Sequence, residues 1–240
     1  TVRDIRHEAP GIGAYKLYLM LKELYPDGMR GRDWFYGLMH ESHLMLKLGK
    51  RRHTTSSNHP YRKYKNMIKG LTVNRINQLW VADITYIDTD EGVAYLHLLT
   101  DAFTHEIIGW VLSDSLVASN TVTALEMGIS HVSPLGFDGL IHHSDRGVQY
   151  CCNQYIDRLQ AIKATISMTE DYKPTDNAIA ERVNGIIKQE WLYRMKRPPD
   201  VVVARDLLGR IIGFYNNRRP QRSNRDMLPP VRFREALTCM

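Results

Sequence analysis

The chain has 240 residues, of which 43% are hydrophobic and 24% charged, and these are ordinary proportions for a globular protein. No apolar run approaches the roughly 18 residues of a membrane span, and no signal-peptide pattern is present, so the sequence predicts neither. Three cysteines without a CxxC pair argue against a disulfide framework and a structural zinc site, and they fit a reducing cytoplasm.

Charge is distributed unevenly along the chain. Residues 1–75 carry 15 Lys/Arg against 6 Asp/Glu, residues 76–182 carry 5 against 15, and residues 183–240 carry 12 against 5. Two basic flanks around an acidic centre are typical of a protein whose flanks bind a polyanion while its centre collects cations. The alternative is that the charges form solvated faces only.

Two helices are predicted near the N-terminus. Apolar residues at helical spacing follow Gly11-Ile-Gly13 and end at Leu24, and a second set begins after Arg32-Asp33, with the turn signal Tyr25-Pro-Asp-Gly28 between them. The expected apolar faces are Tyr15, Leu17, Tyr18, Leu21 and Leu24, then Trp34, Phe35, Leu38 and Met39. Two helices joined by a short turn predict a helix-turn-helix-like DNA-binding region over residues 1–48. The pattern also fits an ordinary helical pair.

Residues 49–75 are predicted to be a basic linker, because low hydrophobicity and high charge disfavour a packed core. Lys50, Arg51 and Arg52 in this linker are candidates for DNA contact. His53 and His59 are interpreted as linker residues rather than ligands.

Strands begin at Leu79. Residues 79–87 are apolar on both faces, which predicts a central strand, and this strand contains Asp83. A carboxylate there is costly unless it is paired or binds a metal. Strands at residues 93–100 and 106–112 follow after short turns, which predicts an antiparallel meander.

A helix at residues 117–131 precedes a short strand at 139–143, and Asp145 comes directly after that strand. If this fourth strand lies beside the first, Asp145 and Asp83 approach each other. A helix over residues 154–160 and a fifth strand at Thr165–Met168 complete this region.

A further helix carries a third acid, Glu181. The predicted buried stripe is Ile179, Val183, Ile186, Ile187 and Trp191. Glu181, Asn184, Gly185 and Lys188 fall on the other side of this helix. Glu181 therefore is expected to face a surface or groove.

The C-terminal region, residues 196–240, is predicted to contain a helix from Val201 to Tyr215 and a basic tail. Arg218, Arg219 and Arg222 lie among Asn and Ser residues, a composition that suits phosphate contact.

The three acids Asp83, Asp145 and Glu181 predict a metal site. Carboxylates suit Mg²⁺ or Mn²⁺, and two such ions can activate a water and stabilise the leaving oxygen of a phosphodiester. Taken singly, Asp145 is equally a turn former and Glu181 a solvated helix residue.

With these residues in place, the chain resembles bacterial insertion-sequence transposases with a retroviral-integrase-like core. More narrowly, it resembles the second-frame product of the two-reading-frame (insertion-sequence three) family. The matching motifs are Trp80-Val-Ala-Asp83-Ile-Thr-Tyr86, Ile141-His-His-Ser-Asp145-Arg-Gly147-Val-Gln-Tyr150, Asp176-Asn177-Ala-Ile-Ala-Glu181 and Tyr215-Asn-Asn-Arg-Arg-Pro220. The sequence departs from the family pattern at Thr175, at Gln221 (usually His) and at Arg225-Asp-Met-Leu-Pro-Pro230.

The resemblance implies an α/β fold: a ribonuclease-H-like core at residues 76–195, with a mixed five-stranded sheet and flanking helices, after a small helix-turn-helix-like domain. It implies that Asp83, Asp145 and Glu181 bind two Mg²⁺ or Mn²⁺ ions as the catalytic residues of a DDE transposase. Asn177 and His143 are expected to support the site, and Lys188, Arg182 and Asn184 to contact DNA.

The implied partners are the DNA of element ends and target, further copies of the chain, and a first-frame DNA-binding region. The implied location is the bacterial cytoplasm, in association with the nucleoid. Two alternatives stay open: a nuclease of this fold that cuts without joining, and an inactive DNA-binding regulator.

Overall fold

The computed structural model of the protein describes residues 1–46, 61–132, 136–170 and 177–238. The chain divides into two compact units. Unit 1 comprises Thr1–His53, Ile186–Lys196 and Gly209–Met240, and unit 2 comprises Thr54–Gly185 and Arg197–Leu208. The domain limits at residues 48, 75 and 195 remain a prediction.

The helices and strands follow in chain order: α1 (Val2–Glu8), α2 (Ala14–Leu24), α3 (Arg32–Glu41), β1 (Leu79–Thr89), β2 (Gly92–Asp101), β3 (Ile107–Ser113), α4 (Ala118–Val132), β4 (Ile141–Ser144), α5 (Val148–Cys151), α6 (Asn153–Ala161), β5 (Thr165–Met168), α7 (Ala178–Glu190), α8 (Val201–Asn217) and α9 (Pro230–Thr238). Helix α1 was not predicted. It buries only Ile5, so its sequence has no apolar periodicity to detect. None of the helices in the described parts of the chain is long and apolar enough to cross a membrane.

Unit 2 is built on a five-stranded sheet with the strand order β3-β2-β1-β4-β5. Strands β1, β2 and β3 form the predicted antiparallel meander, and β1 is the central strand, as its two apolar faces indicated. Strand β4 runs parallel to β1, and β5 runs parallel to β4. The mixed sheet confirms the predicted fold class.

Both faces of this sheet are covered. Trp80 and Ala82 of β1 belong to a core cluster that also contains residues of α4, α5 and α6. On the opposite face, Leu79 and Val81 pack with Ala180 of α7. Since successive strand residues point to opposite faces, Asp83 belongs to the face that α7 covers.

The region predicted to be a linker takes part in this packing. Ile68, Leu71 and Val73 pack on the cluster of Leu79 and Val81, and Tyr64 packs on the other cluster. The expectation that the predicted linker, residues 49–75, has no place in a packed core is therefore wrong for the part from residue 61 onward. A few spaced apolar side chains dock there although the composition is polar.

Helix α4 lies very close to β3. A Cβ atom added to Gly109 would lie 2.0 Å from the carbonyl oxygen of Ala124, and one added to Gly128 would lie 2.6 Å from the Leu99 side chain. The absence of side chains at these two glycines is what lets the helix backbone approach the strand.

In unit 1, α2 and α3 match the predicted helices. Leu17, Leu21, Phe35 and Met39 are buried. Trp34 is 44% exposed, so the apolar face of α3 is narrower than predicted. The connection over residues 25–31 is longer than the three or four residues usual in a helix-turn-helix, and that assignment remains a prediction.

Glu190, the last residue of α7, is the centre of an ion-pair cluster in unit 1. Arg219 donates from Nε and Nη2 to its two carboxylate oxygens, each at 2.8 Å, and Lys16 Nζ donates at 2.7 Å. Burial alone would raise the pKa of Glu190, but the hydrogen bonds and charges of Arg219 and Lys16 outweigh it and lower the pKa.

Arg219 therefore does not have the predicted role of a phosphate contact. It is only 3% exposed, and its guanidinium also donates to Gln221 Oε1 at 2.8 Å. A bidentate pair with a partly buried carboxylate already uses the donors that a phosphate would need.

Candidate active site

Asp83 lies on β1 and is partly buried. Its Oδ1 accepts a hydrogen bond from the Ile84 backbone N–H at 2.9 Å, and its Oδ2 accepts one from Asn184 Nδ2 at 2.6 Å. Burial raises the pKa of Asp83 to about 7, and the negative charges of Asp145 and Glu181 contribute to this rise, while the two hydrogen bonds oppose it. The pKa of Asp83 thus depends on the charges of both other acids.

Asp145 follows the last residue of β4. Its Oδ1 accepts a hydrogen bond from the Gly147 backbone N–H at 2.8 Å, which makes a tight side-chain-to-backbone turn. A Cβ atom at Gly147 would lie 3.0 Å from the same oxygen, so glycine leaves room for the carboxylate.

The register of β1 and β4 brings the two aspartates together. Val81 pairs with His143 in the parallel ladder, and Asp83 and Asp145 each come two residues later. Adjacent strands are about 4.8 Å apart, so the two positions are neighbours at the carboxyl end of β4. The condition for the predicted approach of the two acids, that the fourth strand lies beside the first, is therefore met.

Glu181 is in the first turn of α7 and is exposed, as the helix pattern indicated. Two contacts hold this end of α7 against β1. Asn177 Nδ2 donates to the Ala82 carbonyl oxygen at 3.1 Å, and Ala180 packs with Leu79 and Val81. Asn177 thus joins the start of the Glu181 helix to the residue that precedes Asp83.

Asn184 differs from its prediction. We expected it on the outward side of α7 in contact with DNA, but it is 6% exposed and its amide binds Asp83. Val183, Ile187 and Trp191 are buried as predicted, but Ile179 and Ile186 are only partly buried, and Ala180 and Asn184 are buried in their place. Small Ala180 and polar Asn184 do not register as core residues in a pattern that counts large apolar side chains.

Two further buried groups belong to β4 and to α5, the elements that precede and follow Asp145. His143, predicted as structural support, is fully buried, and its Nδ1 shares a hydrogen bond with Ser167 Oγ at 2.8 Å across the β4–β5 pair. Tyr150 was not predicted. Its side chain is 2% exposed, and burial, followed by the charges of Asp145 and Asp83, raises the pKa of its hydroxyl.

The remaining candidates for DNA contact vary in exposure. Arg182, Arg218 and Arg222 are exposed, and Lys188 is half-buried two turns after Glu181 on α7. Arg218 forms an ion pair with Glu8. Lys50, Arg51 and Arg52 lie outside the described residues, as do His53 and His59.

The chemistry of the acids fits a divalent cation. Within the described ranges, no three His, Cys, Asp or Glu side chains are grouped closely enough to hold one ion. The carboxylate oxygens of Asp83 and Asp145 instead accept hydrogen bonds from the protein. Hard oxygen donors from β1, from the end of β4 and from α7 nevertheless suit Mg²⁺ or Mn²⁺, and a cation would offset both the burial and the repulsion that raise the pKa of Asp83.

The comparison with known proteins agrees with this geometry. Residues 73–174 and residues 162–230 each match an integrase core domain family. The chain is 34% identical over 211 residues to the uncharacterized 31 kDa protein of insertion element IS600 from Shigella sonnei, covering 85% of this chain and 75% of that protein. It is 33% identical over 173 residues to the transposase of IS629 from Shigella sonnei, covering 71% of this chain but only 56% of that protein.

Among solved structures, the catalytic core domain of the HTLV-2 integrase in complex with magnesium has the same fold. The TM-score is 0.50 at 16% sequence identity, with 72% of this chain and 99% of that chain covered. From the matches to the integrase core and to the insertion-element proteins, we conclude that this chain belongs to the family of insertion-sequence transposases with an integrase core.

Proposed function

We propose that this chain catalyses the DNA strand cleavage and strand transfer of an insertion sequence, with Asp83, Asp145 and Glu181 as its catalytic residues. The observation that carries the proposal is the placement of the three acids on adjoining elements: β1 pairs with β4, and Asn177 and Asn184 hold the start of α7 against β1. Carboxylates on adjoining elements are a typical source of ligands for divalent cations.

Each acid has a distinct setting for this role. Asp83 is oriented by the Ile84 N–H and by Asn184, and Asp145 is oriented by the Gly147 N–H. Glu181 is exposed and accessible from solvent. Two oriented carboxylates and one accessible carboxylate suit a site that must keep its ligands in place and still admit a phosphodiester.

One or two bound Mg²⁺ or Mn²⁺ ions would supply charge neutralisation at the phosphate and a water activated for attack. In the first step, water attacks the phosphorus at the end of an element strand and a 3′-hydroxyl leaves. In the second step, that 3′-hydroxyl attacks the phosphorus of another phosphodiester, the 3′-hydroxyl of the attacked strand leaves, and the element end is joined to the 5′ side of the broken bond. Asn177 has a positioning role, because it fixes the start of α7 to β1.

The partner in this proposal is DNA, at the element ends and at the target. Relatives of this fold include an integrase core in a trimeric form, and we propose that this chain also acts as an oligomer on DNA, with a first-frame DNA-binding region. The chain spans only part of the length of some relatives, so further segments of the complete protein belong to the same proposal.

The test uses a labelled DNA duplex that carries the element end, a target duplex and Mg²⁺ or Mn²⁺. We expect a cleaved 3′ end followed by a joined product. Glu181→Gln should abolish both products and leave DNA binding nearly unchanged, because Glu181 is exposed and its replacement costs little stability. The exposed Glu235, on α9, provides the matched control Glu235→Gln, which should leave both products unchanged.

The outcomes separate the alternatives. Cleavage without a joined product would indicate a nuclease of this fold. DNA binding without cleavage, under conditions in which a related transposase is active, would indicate a regulator. Unchanged cleavage in Glu181→Gln would remove Glu181 from the site.

A further inference from the structure

The inference concerns residues 61–69, which we call the edge segment. The segment lies along β5, the outer strand of the sheet. The Met168 backbone N–H donates to the Lys65 carbonyl at 3.3 Å, and the Met67 N–H donates to Ser167 Oγ at 2.8 Å. The Asn66 N–H donates to Glu170 Oε1 at 3.0 Å. The backbone of the segment is thus anchored to β5 and to the residues that follow it.

This anchoring places the edge segment close to the carboxyl end of β4. Met168, which bonds to Lys65, is paired with Ser144 in the β4–β5 ladder, and Ser144 directly precedes Asp145. From Lys65 to Ser144 is therefore about two strand spacings, or roughly 10 Å. The segment and Asp145 lie at the same end of the sheet.

The edge segment contains four cationic residues and no Asp or Glu. Lys69 pairs with Glu170 at 2.6 Å. Arg62, Lys63 and Lys65 are exposed, and within the described residues none of them has an ion-pair partner. The guanidinium of Arg62 lies 5.0 Å from the centre of the Tyr64 ring, an arrangement that holds a cation without neutralising it.

Within the described parts of the chain, the absence of ion-pair partners for these three cations is notable because the rest of the unit is acidic. Residues 76–182 of the same unit carry 15 acids against 5 bases, so partners for three lysine or arginine side chains are abundant in its sequence. The segment instead docks through backbone groups and the apolar side chains of Tyr64 and Ile68, and these three cations are exposed to solvent. A concentration of unpaired positive charge beside a catalytic carboxylate suits a polyanion that runs across this end of the sheet.

We propose that Arg62, Lys63 and Lys65 bind phosphates of the DNA strand next to the phosphodiester on which the three acids act. The inference rests on the proposed function for the position of that phosphodiester. Binding of the cations to DNA is independent of the chemistry and can be measured without a divalent metal. Contacts of this kind position the strand and carry no base information.

The first test measures the salt dependence of binding of a labelled duplex to the full chain in EDTA. Each lost phosphate contact lowers the slope of log K against log salt by roughly 0.9, so Arg62→Gln/Lys63→Gln/Lys65→Gln should lower it by roughly 3 and Lys65→Gln alone by roughly 1. The matched control is Lys163→Gln. Lys163 is also exposed, but it precedes β5 and so lies at the opposite end of that strand.

The second test locates the contact. Neutral methylphosphonates are placed at the phosphates that flank the cleaved bond. They should weaken binding of the wild-type chain and of Lys163→Gln, and have little further effect on the triple variant, because the same contacts are already missing. Circular dichroism of each variant verifies its fold.

The outcomes distinguish a failure of phosphate binding by the edge segment from a failure of the proposed strand cleavage and transfer. If the triple variant and Lys65→Gln keep the wild-type slope, or lose no more than Lys163→Gln, the edge segment does not bind phosphate, whether or not strand transfer occurs. If the slope falls but the methylphosphonates weaken the triple variant as much as the wild type, the segment binds DNA elsewhere and the proposed location is wrong. If the chain neither cuts nor joins while both tests succeed, the proposed function fails and the binding surface stands.

Discussion

Replacing Asp83 with Asn removes a partly buried carboxylate with almost no change in size. The new amide oxygen can accept the hydrogen bond that Ile84 N–H now donates. Asn184 can rotate its own amide to accept from the new NH₂ group, because within the described residues its Oδ1 has no hydrogen-bond partner. The substitution thus mainly removes a negative charge, and we expect it to stabilise the metal-free protein while abolishing strand cleavage.

The size of the expected gain in stability follows from the pKa of Asp83, which burial and the neighbouring acids raise from 3.8 to about 7. Between these values the folded protein retains a proton that the unfolded chain has released, so the contribution of Asp83 to stability is lost as the pH rises through this range. A difference of about 3 pKa units corresponds to at most about 4 kcal/mol above pH 7, less where solvent screens the carboxylate. At about pH 5 the same relation gives a penalty of at most about 1.6 kcal/mol.

The assay is urea unfolding of both proteins in EDTA, followed by tryptophan fluorescence, at about pH 5 and about pH 8. The free energy of unfolding of Asp83→Asn should exceed that of the wild type at both pH values, and the difference should be larger at about pH 8 than at about pH 5 by up to about 2 kcal/mol. Asp101, whose pKa is also raised by burial, titrates in both proteins and cancels in the comparison. Added Mg²⁺ should stabilise the wild type more than the variant, because a ligand stabilises only the state that binds it.

Two results would refute this reasoning. If Asp83→Asn is no more stable than the wild type at about pH 8, the carboxylate is not under electrostatic strain. If the gap is the same at both pH values, the gain has a cause other than the charge of Asp83.

Three further substitutions have definite expected outcomes. Gly109→Ala would place a methyl group 2.0 Å from the Ala124 carbonyl oxygen and should cost about 1–3 kcal/mol in urea unfolding. Glu190→Gln leaves the guanidinium of Arg219, 4% exposed, without its carboxylate and should cost about 3 kcal/mol by the same measurement. Asn177→Ala removes a hydrogen bond between α7 and β1, and should lower strand cleavage in the duplex assay while DNA binding is retained.

Each has a control. Gly213→Ala lies in α8, where a Cβ atom meets nothing within 4 Å, and it should not lower stability. Glu235→Gln removes an exposed acid and should be neutral. Equal losses in a variant and its control would contradict the packing or pairing argument, and full cleavage by Asn177→Ala would show that the start of α7 does not depend on this bond.

Strand and helix positions were predictable where apolar periodicity is strong. Strand β5 was predicted at its observed bounds, and α2 and α3 at nearly theirs, because spaced large side chains mark a buried face. Helix α1 escaped prediction because a single buried isoleucine produces no period. The docking of the edge segment was not predicted because it depends on backbone hydrogen bonds and on two isolated apolar side chains, Tyr64 and Ile68, which form no period.

For the candidate site, the sequence by itself determined the three acids, since their motifs and order are local properties of the chain. The pairing of β1 with β4, which makes Asp83 and Asp145 neighbours, was decided by the tertiary structure, because it joins residues about sixty positions apart. The same holds for two polar residues with roles opposite to those predicted. Asn184 and Arg219 resemble DNA contacts in sequence, but packing brings an acid to each, Asp83 and Glu190, and buried polar groups bind the partner that is nearest.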